Sequence, residues 1–339
     1  MRILLTSILC QSGLMTHVND LARFLAQQGI FVAIAFRRAN FLDWEAKKRI
    51  LARLGKIPYV LYDRADELQQ FVLEKKCTLI HAHSHMTFPT ATEVSLSLDI
   101  PLIITLHSVY PWHRVYRRTL QASRRIIAVG AAQAHAARGF LEQIEVVPNG
   151  IDTEFFVPKD EQDTKGDPFN ILWYGRVDGR LSRGLQVLDQ VAPLLPGHIR
   201  ISGLGTAHPQ PTNITMLPWT DNPLPYLQQS QITFAHGRSL REAMACGSIG
   251  MLLGYGYGGL VTGESLRNEP VILDAFPEYR LARPRVSTLR NDILAMANQV
   301  SIIRLRKEAR ALAVKHFSIK EMGERVVRIY RSASKGKRS

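Results

Sequence analysis

Short aliphatic and β-branched runs alternate with amphipathic stretches over the first 150 residues. The runs at 2–7 (RILLTS), 31–36 (FVAIAF), 78–83 (TLIHAH), 101–107 (PLIITLH) and 125–130 (RIIAVG) are apolar nearly throughout, as strands covered on both faces are, and predict a buried parallel sheet. Between the first two, Leu14, Val18, Leu21 and Leu25 recur at helical spacing and Gly29 stands where a C-terminal cap belongs. This is the rhythm of a βαβ array.

Pro148-Asn149-Gly150 punctuates the end of that block, and KDEQDTKGDP (159–168) is polar and free of large apolar residues, as an interdomain linker is. A second rhythm follows, with strands expected at 170–175, 198–203, 213–217 and 231–236 and helices at 184–194, 222–229 and 239–246. GYGYGG (254–259) reads as a glycine-rich loop, and Ser318 with Glu321 forms a capping box that opens a last helix. The expected fold class is α/β: two doubly wound domains, 1–157 and 169–316, joined by a linker at 158–168. Ligands of such sheets bind at the carboxyl ends of the strands, here in a cleft between the domains.

A length of 339 residues fits two domains at about 150 residues each. With 46% hydrophobic and 21% charged residues the composition is that of an ordinary globular protein. No apolar stretch approaches the roughly 18 residues of a membrane span and the start lacks a signal-peptide core, so a cytoplasmic location is expected. Cys10, Cys77 and Cys246 are far apart, which fits a reducing compartment and small core fillers.

The formal net charge of +14 is unevenly spread. Residues 1–157 carry 18 basic and 13 acidic side chains, 158–303 carry 13 of each, and 304–339 carry 12 and 3. Basic stretches at 36–56, with Phe41, Leu42 and Trp44 interleaved, and at 108–125, with five arginines and no acid, join the 331–339 tail. Basic segments with aromatic residues suit an anionic membrane surface, reached from the cytoplasmic side. A solvated surface, or a groove for an anionic soluble acceptor, fits the same composition. No nucleic-acid partner is expected, because no helix-turn-helix, zinc-finger or RNA-recognition pattern occurs.

Candidate chemistry gathers where strands end. Gly13 opens a helix after the first strand and lets backbone N–H groups approach a phosphate, or serves only a tight turn. Arg176, Arg180 and Arg183 crowd one loop after the run ILWYG and suit a diphosphate clamp or a solvated loop. His236, Gly237, Arg238 and Ser239 mark a strand-glycine-helix junction, with Glu242 placed on the first helical turn to accept from a ribose. Ser239 and Glu242 equally make a capping box that needs no ligand. His107 ends a strand. His81, His83 and His85 share a face only if their strand continues through Ser84, so no metal site is expected. The absence of a D-x-D pair removes a reason for a bridging divalent ion, and no cofactor is expected.

VVPNGIDTEFFVP, LWYGR, LREAMACG and the closing HFSIKEMGERVVRIY resemble, in order and spacing, the blocks of the retaining glycosyltransferases of family 4, which have the GT-B fold. The resemblance runs over nearly the whole chain. It implies a nucleotide-sugar donor, UDP-sugar favoured and GDP-sugar possible, and a lipid, lipid-linked or polysaccharide-precursor acceptor. Donor binding falls to the C-terminal domain and acceptor binding to the N-terminal one, with 317–339 returning to pack on the N-terminal domain. Carried over by position, Arg176 matches the arginine on the donor β-phosphate, Glu242 the glutamate on the ribose, His107 the histidine near the transferred sugar and Gly13 the glycine at the diphosphate. MLPWTD (216–221), with Pro218, matches the loop that reads the base.

Two positions depart from the family. Leu181 stands where a lysine is usual, leaving Arg183 or Arg180 to replace it, and Phe234 stands where a first glutamate contacts the donor sugar. His236, Arg238 or the 256–262 loop are the replacement contacts. The function expected is metal-independent retaining transfer of a hexose. The alternative, which Leu181 and Phe234 favour, is a glycosyltransferase-like nucleotide- or membrane-binding protein without catalysis.

Overall fold

The computed structural model describes the chain except residues 11, 40–41, 160–167, 176–181, 206–209, 219, 221, 255, 269–280, 298–301 and 336–339. It divides into two compact units, residues 1–150 with 319–339, and residues 151–318.

The first unit is built on seven strands: β1 (Arg2–Ile8), β2 (Phe31–Arg37), β3 (Tyr59–Tyr62), β4 (Leu79–Ala82), β5 (Leu102–Leu106), β6 (Ser123–Ala128) and β7 (Ile144–Val146). All pair in parallel, in the order β3-β2-β1-β4-β5-β6-β7. The order reverses between β1 and β4, the switch point at which the loops after neighbouring strands diverge and leave room for a ligand. Alternate residues of β1 feed two cores. Ile3 and Leu5 pack with Val18, Leu21 and Leu25 of the helix Gly13–Gln27, and Leu4 packs with Ile80, Phe88 and Ile104 on the other face.

The chain returns to this unit with its last helix, Ile319–Lys335, whose Met322, Val326, Ile329 and Tyr330 complete the first of those cores. Gly323 lies directly against Phe24, and a Cβ there would overlap the aromatic ring. The close approach therefore depends on glycine, although glycine inside a helix costs about 1 kcal/mol relative to alanine.

Residues 151–157, expected at the end of the first domain, belong to the second unit. The Ile151 amide donates to the Phe317 carbonyl at 2.8 Å, and Ile151 and Phe156 are buried in a core with Leu240, Met244 and Ala313. Arg310 fastens the segment by donating to the Thr153 and Phe156 carbonyls and to that of Ala245.

The sheet of the second unit comprises β8 (Phe169–Tyr174), β9 (Ile199–Leu204), β10 (Thr215–Leu217), β11 (Ile232–Ala235), β12 (Ile249–Leu253) and β13 (Tyr257–Leu260). Their order is β10-β9-β8-β11-β12-β13, parallel except for the β12/β13 pair. The stretch expected as a glycine-rich loop thus enters an edge strand. A Cβ on Gly258 would press on Leu252, so the glycines here permit pairing as well as turning. The switch point falls between β8 and β11. Among the described residues no helix is long and apolar enough to cross a membrane.

Candidate functional site

In the first unit, Gly13 is the first residue of its helix and is exposed, with open space where a side chain would stand. Ser12 precedes it without a side-chain bond to the helix, leaving that terminus uncapped by its own neighbour. His107 follows β5 and is partly exposed. His83 follows β4, and its Nδ1 stands 3.3 Å from His107 Nε2. His17 completes a trio: its ring centroid is 4.7 Å from that of His107 and 5.2 Å from that of His83.

The three histidines of HAHSH do not act as one face. His81 is wholly buried between the Tyr330 hydroxyl, 2.6 Å from Nδ1, and the Thr105 hydroxyl, 2.7 Å from Nε2. β4 ends at Ala82, so His85 falls in a following turn, exposed and stacked parallel to Tyr110 at 6.0 Å. Desolvation pushes His81 and His107 down to about 3. His83 is driven well below the ordinary imidazole range, by burial first and then by His81, His17 and His107. These rings are neutral at pH 7.

In the second unit, Arg176 and Arg180 lie outside the described residues. Arg183 is described, exposed on the first turn of the helix Ser182–Val191. Pro218 is exposed just after β10. The His236–Glu242 segment is the best defined. β11 runs into His236, the helix Gly237–Ala245 starts at Gly237, and that glycine has a φ of +60°, which side-chain-bearing residues rarely adopt. The helix therefore begins two residues before the expected cap. Ser239 is its third residue rather than its cap, and Glu242 lies on the second turn, so the capping box does not form.

Glu242 instead receives two long-reaching donors. Arg238 Nε donates to Oε1 at 2.6 Å, and the Tyr174 hydroxyl, at the end of β8, donates to Oε2 at 2.8 Å. Both partners of the Arg238–Glu242 pair are largely buried. Burial raises the Tyr174 pKa well above the phenolic range and the Glu242 charge adds to it, so Tyr174 remains a donor. The same two causes push the Cys246 thiol up to about 12. Phe234 is fully buried within β11 among Trp173, Ile232 and Met251, so the position of the family's first glutamate is a core position here. Tyr174 and His17 were missed in sequence; the run LWYG at a strand end, and the placement of His17 one turn after Gly13, are the signals that could have found them.

Residues 11–155 match the model of Glycosyltransferase Family 4. The Anabaena protein HepE, solved in complex with UDP, superposes with a TM-score of 0.74 at 15% identity over 98% of this chain and 100% of that one. A glycosyltransferase from Rickettsia africae gives a TM-score of 0.75 at 14% identity over 99% of each chain. The chain has the GT-B fold of these two proteins. In sequence it is 26% identical to the D-inositol 3-phosphate glycosyltransferase of Pseudarthrobacter chlorophenolicus, over 54% of this chain and 53% of that protein. The chain thus spans about half the length of the curated relatives it matches.

On this GT-B chain the basic stretches are only partly the surface their composition suggested. Trp44, at the start of the helix Trp44–Ala52, is 64% exposed beside exposed Lys48 and Arg49. Tyr110 and Val115 are exposed near Arg114, Arg117 and Arg118, but Trp112 is buried against Phe88 and Tyr116. Phe41 and residues 336–339 lie outside the described residues.

Proposed function

We propose that the protein is a retaining glycosyltransferase that moves a hexose from a UDP-sugar to a lipid, lipid-linked or polysaccharide-precursor acceptor. The observation that carries this reading is the Tyr174–Glu242–Arg238 constellation at the switch point of the second sheet. A buried carboxylate held by two donors beside a helix that opens on Gly237 suits a ribose hydroxyl and an adjoining diphosphate. HepE has been solved with UDP and with UDP-glucose, which supports the uridine base and the glucose class of donor.

In this reading Arg176, with Arg180 or Arg183 in place of the family lysine, neutralises the departing diphosphate. Gly13 offers main-chain N–H groups to the same phosphates, Pro218 and its loop read the base, and neutral His107 hydrogen-bonds the transferred sugar. His236, Arg238 or the 256–262 loop supply the contacts that Phe234 cannot. The acceptor hydroxyl enters on the face from which the phosphate leaves, so the protein contributes positioning and charge stabilisation, without a metal ion. Trp44 and the basic residues around it dock the first unit on anionic lipid at the inner face of the membrane.

A second reading, a nucleotide- or membrane-binding protein without catalysis, is favoured by the burial of Phe234. The full chain is titrated calorimetrically with UDP-, GDP-, ADP- and CMP-sugars and assayed for transfer of labelled sugar to cell fractions. Binding of a UDP-sugar with label entering organic solvent is expected. Binding to none of the donors overturns the proposal, and tight binding without transfer or donor hydrolysis establishes the second reading. Co-sedimentation with anionic vesicles, reduced in Trp44→Ala, tests the docking; equal negligible binding to anionic and neutral vesicles rejects it.

A further inference from the structure

We propose that His17, His83 and His107 form a binding site for one transition-metal ion of the zinc class. One ring nitrogen of each lies within 4.8 Å of the other two. The three come from separate elements, the helix after β1 and the loops after β4 and β5, and the parallel sheet brings them together next to its switch point. A tetrahedral zinc ion with Zn–N bonds of about 2.0–2.1 Å places neighbouring ligand nitrogens about 3.3 Å apart. His83 Nδ1 and His107 Nε2 already stand at 3.3 Å.

A direct hydrogen bond between those two rings would account for the same distance, but it involves only two of the three rings, whereas an ion engages all three. The donor set selects the ion. It contains imidazole nitrogens and no carboxylate, which suits zinc, cobalt, nickel or copper and not the oxygen-seeking magnesium, calcium or manganese. His17 and His83 are buried while His107 is partly exposed, so three protein ligands would leave a fourth position open on the His107 side, as in sites that exchange a ligand.

A consequence rests on the proposed function. An ion on His107 takes the nitrogen that otherwise meets the donor sugar, so occupancy slows transfer instead of supporting it.

The test uses the full chain, stripped with a chelator and titrated with Co2+ alone, with Zn2+ as competitor. One equivalent of Co2+ is expected to give the visible absorption of a tetrahedral nitrogen site, displaced by Zn2+ and not by Mg2+. That absorption is lost in His17→Ala and in His83→Asn, two variants on different elements, each required to keep the native circular dichroism. It persists in His85→Ala, an exposed histidine outside the trio. No stoichiometric uptake, or uptake unchanged in both trio variants, overturns the site and leaves a His83–His107 hydrogen bond only. Uptake in a chain that binds no nucleotide-sugar upholds the site and defeats the glycosyltransferase reading. Transfer that is insensitive to bound Zn2+ defeats the inhibitory consequence alone.

Discussion

Tyr330, 249 residues from His81 in sequence, places its hydroxyl 2.6 Å from His81 Nδ1 inside the first unit. With Thr105 on the other ring nitrogen, both polar atoms of a fully buried imidazole are satisfied. The last helix is therefore held by a polar contact as well as by its apolar face. Tyr330→Phe keeps the ring volume and strands one imidazole nitrogen. A loss of about 1–3 kcal/mol in urea unfolding of the full chain is expected; an unchanged midpoint would show that the hydroxyl contributes nothing.

Gly323 and Phe24 make the complementary apolar contact. Gly323→Ala improves helix propensity locally, yet it drives a methyl into the Phe24 ring. The collision is expected to win, at about 1–3 kcal/mol of destabilisation. Phe24→Leu in the same chain recovers part of it, and a double-mutant cycle on thermal unfolding reads the coupling directly. Additive effects of the two substitutions would refute the contact.

Glu242 is held from two sides, and the two donors are not equivalent. Arg238 is charged and largely buried, whereas the Tyr174 hydroxyl is neutral. Under the proposed function, Glu242→Ala weakens UDP-sugar binding by about 10- to 100-fold, the worth of charged hydrogen bonds. Tyr174→Phe removes one neutral bond and weakens binding by about fivefold, with transfer at saturating donor retained. Calorimetry on both variants checks the ranking, and equal affinities in all three proteins would remove Glu242 from the donor site.

Much of the architecture was legible along the chain. β1, β2, β5, β8 and β11 are continuous apolar runs bounded by turns, and the expected strands fall within two residues of the observed ones. β3, β7 and β13 escaped notice at the sheet edges, where partial burial removes the apolar continuity of a central strand, and β12 escaped it although it is interior and fully buried. The start of the helix at Gly237 was misjudged because an S-x-x-E pattern mimics a cap. The left-handed conformation of Gly237, which sets the start, has no signature beyond the glycine itself.

By itself the sequence determined many of the local elements, the α/β class and the positions of Gly13, His107 and His236 just after strands, because apolar periodicity and turn chemistry act over a few residues. Tertiary structure alone decided which distant groups meet. Tyr174 reaches Glu242 across 68 residues, Tyr330 reaches His81, and His17, His83 and His107 converge from one helix and two loops. Those meetings depend on sheet order, on the return of the last helix and on the burial that keeps His81, His83 and His107 neutral. All three are long-range packing outcomes that no local pattern encodes.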